Sequence, residues 1–117
     1  TGDFSIESGV AATVKALKGA RPTAFFCFSD EMAIGALSAL RQAGLRCPED
    51  VSVIGFDDIH MAPYTWPALT TVRQPMHEIG QQTVELLIGI IEGRVSERVN
   101  LTLPHQLVVR DSTAAPR

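Results

Sequence analysis

Residues 51–58 read Val-Ser-Val-Ile-Gly-Phe-Asp-Asp, an apolar run that stops at two adjacent carboxylates. Such a run predicts a strand buried in a parallel sheet, because strands covered on both faces lose the polar alternation of a half-exposed one. In open α/β sheets, ligands bind outside the carboxyl ends of the strands. Asp57 and Asp58 therefore reach toward a candidate ligand crevice. Acidic residues also end strands simply because they favour water and turns, and the two residues alone leave both readings open.

The rest of the chain organises around that strand. Residues 5–18 read as a helix, with Ile6, Val10, Val14 and Leu17 at helical spacing and Gly19 and Pro22 to stop it. Residues 23–28 are a short continuous apolar run, which predicts a second strand buried on both faces. Ser29 caps the next helix, and Asp30 and Glu31 fall in its first turn, where negative charge suits the helix dipole. That helix runs to about Ala43, with Ala33, Ala36, Leu37 and Leu40 on its apolar stripe and Met32 and Ile34 off it. Residues 59–66 read as an irregular loop and 69–73 as a short extended segment. Pro75 opens a last helix that Gly93 ends, with Met76, Ile79, Thr83, Leu86, Leu87, Ile90 and Ile91 down one broad face. Residues 101–110 read as a strand broken at Pro104, and the tail after Asp111 is expected to fray.

The order α-β-α-β-β-α-β predicts an α/β fold with a parallel, doubly wound sheet covered on both faces. No strand precedes the opening helix, as though a right-handed crossover unit had been cut there, and the chain reads as an excised fragment. Its 117 residues, 45% hydrophobic and 20% charged, suit one globular domain. A net charge of −3 argues against this chain gripping nucleic acid by itself. No apolar run reaches the roughly 18 residues of a membrane span, and no signal segment opens the sequence. The two cysteines, Cys27 and Cys47, read as free thiols in a cytoplasmic protein.

Little else carries chemistry. His60, His77 and His105 are scattered, with no paired His or Cys spacing to hold zinc. No Gly-x-Ser-x-Gly elbow surrounds a serine, and the glycines form no phosphate loop. Neither an enzyme nor a cofactor is expected. Phe4, between a Gly-Asp turn and a helix, is either an aromatic packed under its own helix or a flat platform for a sugar or base ring.

Five separated stretches resemble the LacI/GalR family of bacterial transcription regulators. They are Thr-Gly-Asp-Phe-Ser-Ile-Glu-Ser-Gly at 1–9, the strand and Ser-Asp-Glu-Met-Ala-Ile-Gly within 22–37, and Pro-Glu-Asp-Val-Ser-Val-Ile-Gly-Phe-Asp-Asp at 48–58. Pro-Ala-Leu-Thr-Thr-Val-Arg-Gln-Pro at 67–75 and Leu-Val-Val-Arg-Asp-Ser-Thr at 107–113 complete the set. The resemblance implies a ligand-responsive DNA-binding regulator, in the sense of a repressor. Residues 1–117 would be part of its effector-binding domain, mostly the C-terminal lobe of a type I periplasmic-binding-protein-like fold, with residues 75–93 crossing to an absent N-terminal lobe. The helix-turn-helix head would also lie outside the chain. The alternative is a periplasmic sugar-binding protein of a transport system, which shares the fold.

By position, the resemblance makes Phe4 the aromatic that stacks on the effector and Asp57 the acid that hydrogen-bonds it. It gives Ser29 a polar contact and puts Gln74 and Met76 in the pocket at the hinge crossing; Met76 departs from the aromatic found in some members. It also places Ile34, Met61, Tyr64 and Trp66 in a homodimer contact. The implied partners are a sugar, nucleoside or purine effector, and operator DNA through the absent head. The Gly-Asp-Phe opening and Glu78-Ile79-Gly80 lean toward the purine and cytidine repressor branch.

Overall fold

In a computed structural model of the protein, which describes residues 2–116, two serines set where the first helices begin. Ser5 keeps an extended backbone and its hydroxyl accepts the Ser8 N–H, starting helix α1, Ile6–Leu17. Ser29 does the same for the Met32 N–H and starts α2, Asp30–Gln42. Strand β1, Ala24–Phe26, lies between them. Strand β2, Ser52–Asp57, is followed by a single 3-10 turn at Ala62–Tyr64, strand β3, Thr70–Arg73, helix α3, Met76–Ile91, and strand β4, Gln106–Val108.

The four strands form one sheet in the order β1-β2-β3-β4. The pairs β1–β2 and β2–β3 are parallel, with Phe25 opposite Val53 and Gly55 opposite Thr71. The inward-pointing Val51, Val53 and Leu69 meet Ala33, Ala36, Leu37 and Leu40 of α2 in one buried cluster. Helix α1 then packs on α2 at very short range. A Cβ on Gly9 would stand 2.2 Å from the Met32 carbonyl oxygen, and one on Gly35 would stand 2.2 Å from that of Ile6. Only glycine permits two helix backbones to approach so closely.

The chain divides into two compact units. One comprises the residues up to Arg73 and those from Leu107 onward; the other is Gln74–Gln106. In the second unit α3 buries only Gly89 among its own residues, and its expected apolar face is largely exposed.

Three expectations need correction. β1 is not buried on both faces: Phe26 and, just beyond it, Phe28 are exposed, while Cys27 between them belongs to the buried cluster with α2. The strand expected over 101–110 shrinks to three residues. The tail does not fray at Asp111. Ser112 is fully buried, its hydroxyl donating to the Val53 carbonyl (2.6 Å) and accepting the Thr70 N–H (2.8 Å), while its own carbonyl accepts the Val53 N–H (2.8 Å). One serine thus satisfies backbone groups of two strands, which local sequence pattern does not reveal.

Candidate functional site

β2 delivers its two acids on a turn of left-handed backbone. Asp57 has φ 108° and Asp58 φ 54°, a region that non-glycine residues adopt only where surroundings hold them there. The holding groups are explicit. Asp58 accepts the Arg73 Nε–H at 2.6 Å and the Arg110 Nη2–H at 2.7 Å. Arg110 is itself anchored, donating through Nη1 to the Leu69 carbonyl and through its backbone N–H to the Thr70 hydroxyl. Burial would push the Asp58 carboxyl up, but the two guanidiniums outweigh it and hold the group below the usual carboxylate value.

One residue further on, the Ile59 N–H donates to Asp30 Oδ2 at 2.8 Å, and the Thr71 hydroxyl donates to Oδ1 at 2.6 Å. Asp30 is 0% exposed. Its burial raises the carboxyl's pKa, against the lowering effect of these two donors. The sequence assigns Asp30 only to the helix dipole. Its partners lie 29 and 41 residues away, and only the strand pairing of Gly55 with Thr71 could have hinted at them.

Around this turn the structure collects part of the expected set. Asp57 is half-buried at the carboxyl end of β2. Ser29 is buried at the amino end of α2, and its hydroxyl reaches the Phe4 carbonyl at 3.4 Å. Phe4 adopts φ 69°, in a turn braced by Asp3, whose carboxylate accepts the Ser5 N–H and hydroxyl; those donors keep Asp3 below its usual pKa. Phe4 is 61% exposed. Phe28, 68% exposed, meets Phe26 edge to face with ring centroids 6.1 Å apart. The Cys27 N–H donates to the Ile54 carbonyl, which continues the β1–β2 pairing and brings Phe28 level with the last residues of β2. The sequence marks Phe28 only as the end of an apolar run, although its place between a strand and a helix cap is the signal for a rim position.

Gln74 and Met76 belong to the second unit, where Met76 is exposed and its N–H donates to the Gln74 carbonyl. Met61, Tyr64 and Trp66 project from the loop before β3, Trp66 being 92% exposed, while Ile34 is half-buried on α2. A cleft of about 510 Å³ opens at the other end of the sheet, among Leu37, Arg41, Cys47, Trp66 and Asp111, and does not include Asp57. Cys27 and Cys47 are free thiols, each raised by burial to about 11. Among the described residues no cluster of His, Cys, Asp and Glu could hold a metal ion, and no helix is long and apolar enough to cross a membrane.

Residues 1–113 match the periplasmic binding protein-like domain. The chain belongs to that family. Its relatives include the HTH-type transcriptional repressor PurR of Photobacterium profundum, 44% identical over 95% of this chain and 34% of the repressor. Among solved structures it is similar to the transcriptional regulator CelR–cellobiose complex, with a TM-score of 0.91 and 42% identity over 95% of this chain and 34% of that one. It is also similar to the Lac repressor dimer bound to operator and the anti-inducer ONPF, with a TM-score of 0.90 and 38% identity over 97% of this chain and 40% of that one. The resemblance to LacI/GalR regulators is thereby borne out. This periplasmic binding protein-like domain spans between a third and two fifths of the length of those relatives.

Proposed function

We propose that this chain is the larger part of the C-terminal lobe of the effector-binding domain in a ligand-responsive transcriptional repressor, with Gln74–Gln106 leading to a second lobe. The observation that carries the reading is the built turn at Asp57. Two arginines and a buried aspartate hold it in a left-handed conformation at the carboxyl end of the parallel strand β2. The Asp57 carboxylate can accept from hydroxyl or N–H donors of an effector. Phe4 supplies a flat apolar face and Ser29 a polar contact. Relatives named as repressors favour a regulator over a periplasmic sugar-binding protein, and no catalytic role is assigned.

The effector is a sugar, nucleoside or purine. Bridging two lobes, it favours the closed arrangement by its differential affinity for that arrangement. Lobe geometry then sets the spacing of two DNA heads in a homodimer, and half-site spacing is strict. Ile34, Met61, Tyr64 and Trp66 form the dimer contact, operator DNA binds through a head outside this chain, and the protein works in the cytoplasm. As a test, Asp57→Ala in the full-length protein should weaken effector binding at least about tenfold, as expected for loss of a hydrogen bond to a charged group. Circular dichroism should remain that of the wild type. Calorimetric titration showing unchanged affinity would remove Asp57 from the site.

A further inference from the structure

The first-turn acid of α2 has a role that a helix-dipole partner does not need. A dipole partner works at the surface, whereas Asp30 is fully buried. A carboxylate taken out of water persists only where donors replace the water, and the donors here come from two other elements. Thr71 of β3 gives its hydroxyl, and the backbone at Ile59, beyond β2, gives its N–H. β2 makes room for the group: a Cβ at Gly55 would stand 2.2 Å from Asp30 Oδ1.

The Ile59 N–H is the first backbone donor past both left-handed aspartates, and that of Asp58 itself reaches the Thr71 hydroxyl at 3.3 Å. The turn is therefore held upstream by the β2–β3 ladder, which ends at Asp57 opposite Arg73, and downstream by Asp30. Thr71 links the two, donating to Asp30 and accepting from Asp58. We infer that Asp30 is a positioning residue: through Thr71 and the Ile59 N–H its buried carboxylate fixes the left-handed turn that presents Asp57 to an effector. This rests on the reading of Asp57 as an effector contact.

The test uses the full-length protein, with two readouts. The first needs no ligand: amide hydrogen exchange at Ile59. Thr71→Val keeps the shape and removes one donor, Asp30→Asn keeps one acceptor for Ile59 and can donate to the Thr71 oxygen, and Asp30→Ala removes both contacts. Exchange at Ile59 should accelerate at least tenfold in Asp30→Ala, or in Thr71→Val if the alanine variant does not fold, and stay within threefold of wild type in Asp30→Asn. Unchanged exchange in Thr71→Val and in any folded Asp30→Ala overturns the inference whatever Asp57 does. The second readout is a double-mutant cycle. Cytidine, guanine, ribose and cellobiose are titrated, and the one that binds most tightly is used. If Asp30 acts through Asp57, Thr71→Val or Asp30→Ala weakens that probe, Asp30→Asn restores it to within about threefold, and adding either lesion to Asp57→Ala costs nothing more. Losses that multiply in the double variant, or a binding loss in Asp57→Ala with none in the Asp30 and Thr71 variants, overturn the positioning role while leaving Asp57 in the site. An unaffected Asp57→Ala removes the parent reading, and the inference with it.

Discussion

The carboxylates at the end of β2 are close neighbours with opposite electrostatic habits. Asp58 is held by Arg73 and Arg110 and its pKa is lowered; Asp30 is desolvated and its pKa is raised. Linkage gives each its own pH window. The folded state binds the Asp58 proton less readily than the unfolded chain does, so its stabilisation is present above the ordinary carboxylate value of 3.8 and is lost as pH falls through the lower folded value. For Asp30 the sign reverses: its relative contribution is complete below 3.8 and is lost as pH rises through the higher folded value. Thermal melts should therefore show Asp58→Asn flattening the loss of stability on the acid side of 3.8, and Asp30→Asn flattening the slope on the other side. If both variants merely shift the whole profile without changing either slope, the pairings do not titrate as described. At this scale the sequence exposed Ser29 as a cap and Asp57 as a strand-end acid, because both follow from neighbours within a few residues. It hid Asp30 and Ser112, whose partners are set by tertiary packing and lie 29 to 65 residues away.

Among elements, the α1–α2 crossing gives the sharpest contrast between two glycines. At Gly35 an added methyl would meet the Ile6 carbonyl at 2.2 Å and the Val10 nitrogen at 2.8 Å, both backbone atoms that can yield only if the helices part. Alanine improves helix propensity by about 1 kcal/mol, but overpacking of this kind costs about 1–3 kcal/mol. Here the obstruction is backbone on two sides, so the clash wins and Gly35→Ala should lower the chemical-denaturation midpoint. Gly80, in α3, has nothing within 4 Å of the same methyl, so Gly80→Ala should raise helix stability by roughly 0.5–1 kcal/mol. Equal effects from the two variants would refute the close packing. Helical periodicity located α1 and α2 to within a residue or two, since caps and stripe agree. It did not mark Gly9 and Gly35 as a contact, because a glycine's value at a crossing depends on the facing helix.

For the whole molecule, the outstanding fact is how much apolar surface stays uncovered. Leu87, Ile90 and Ile91 of α3 are exposed, as are Phe26 and Phe28 on the sheet. Exposed apolar patches of this extent mark interaction sites, for protein or for ligand, and the chain spans only 34% of its PurR relative. The broad stripe on α3 was legible from its spacing, but its burial was not, because periodicity reports which residues share a face and nothing about what lies against it. If the stripe packs on the second lobe in the longer protein, substitutions there should act differently in the two contexts. Leu87→Glu with Ile91→Lys places an acid four residues ahead of a base, a pairing that favours a surface helix by about 0.2–0.5 kcal/mol. In the 117-residue chain the pair should leave the melting temperature nearly unchanged and reduce both binding of an apolar dye and self-association in sedimentation. In the full-length protein the same pair would bury polar groups against an apolar neighbour, at a cost of at least about 2 kcal/mol, and should lower its stability and its affinity for effector together. Equal tolerance in both contexts would mean that α3 faces water in the complete protein as well, and that Gln74–Gln106 does not lead to a packed second lobe.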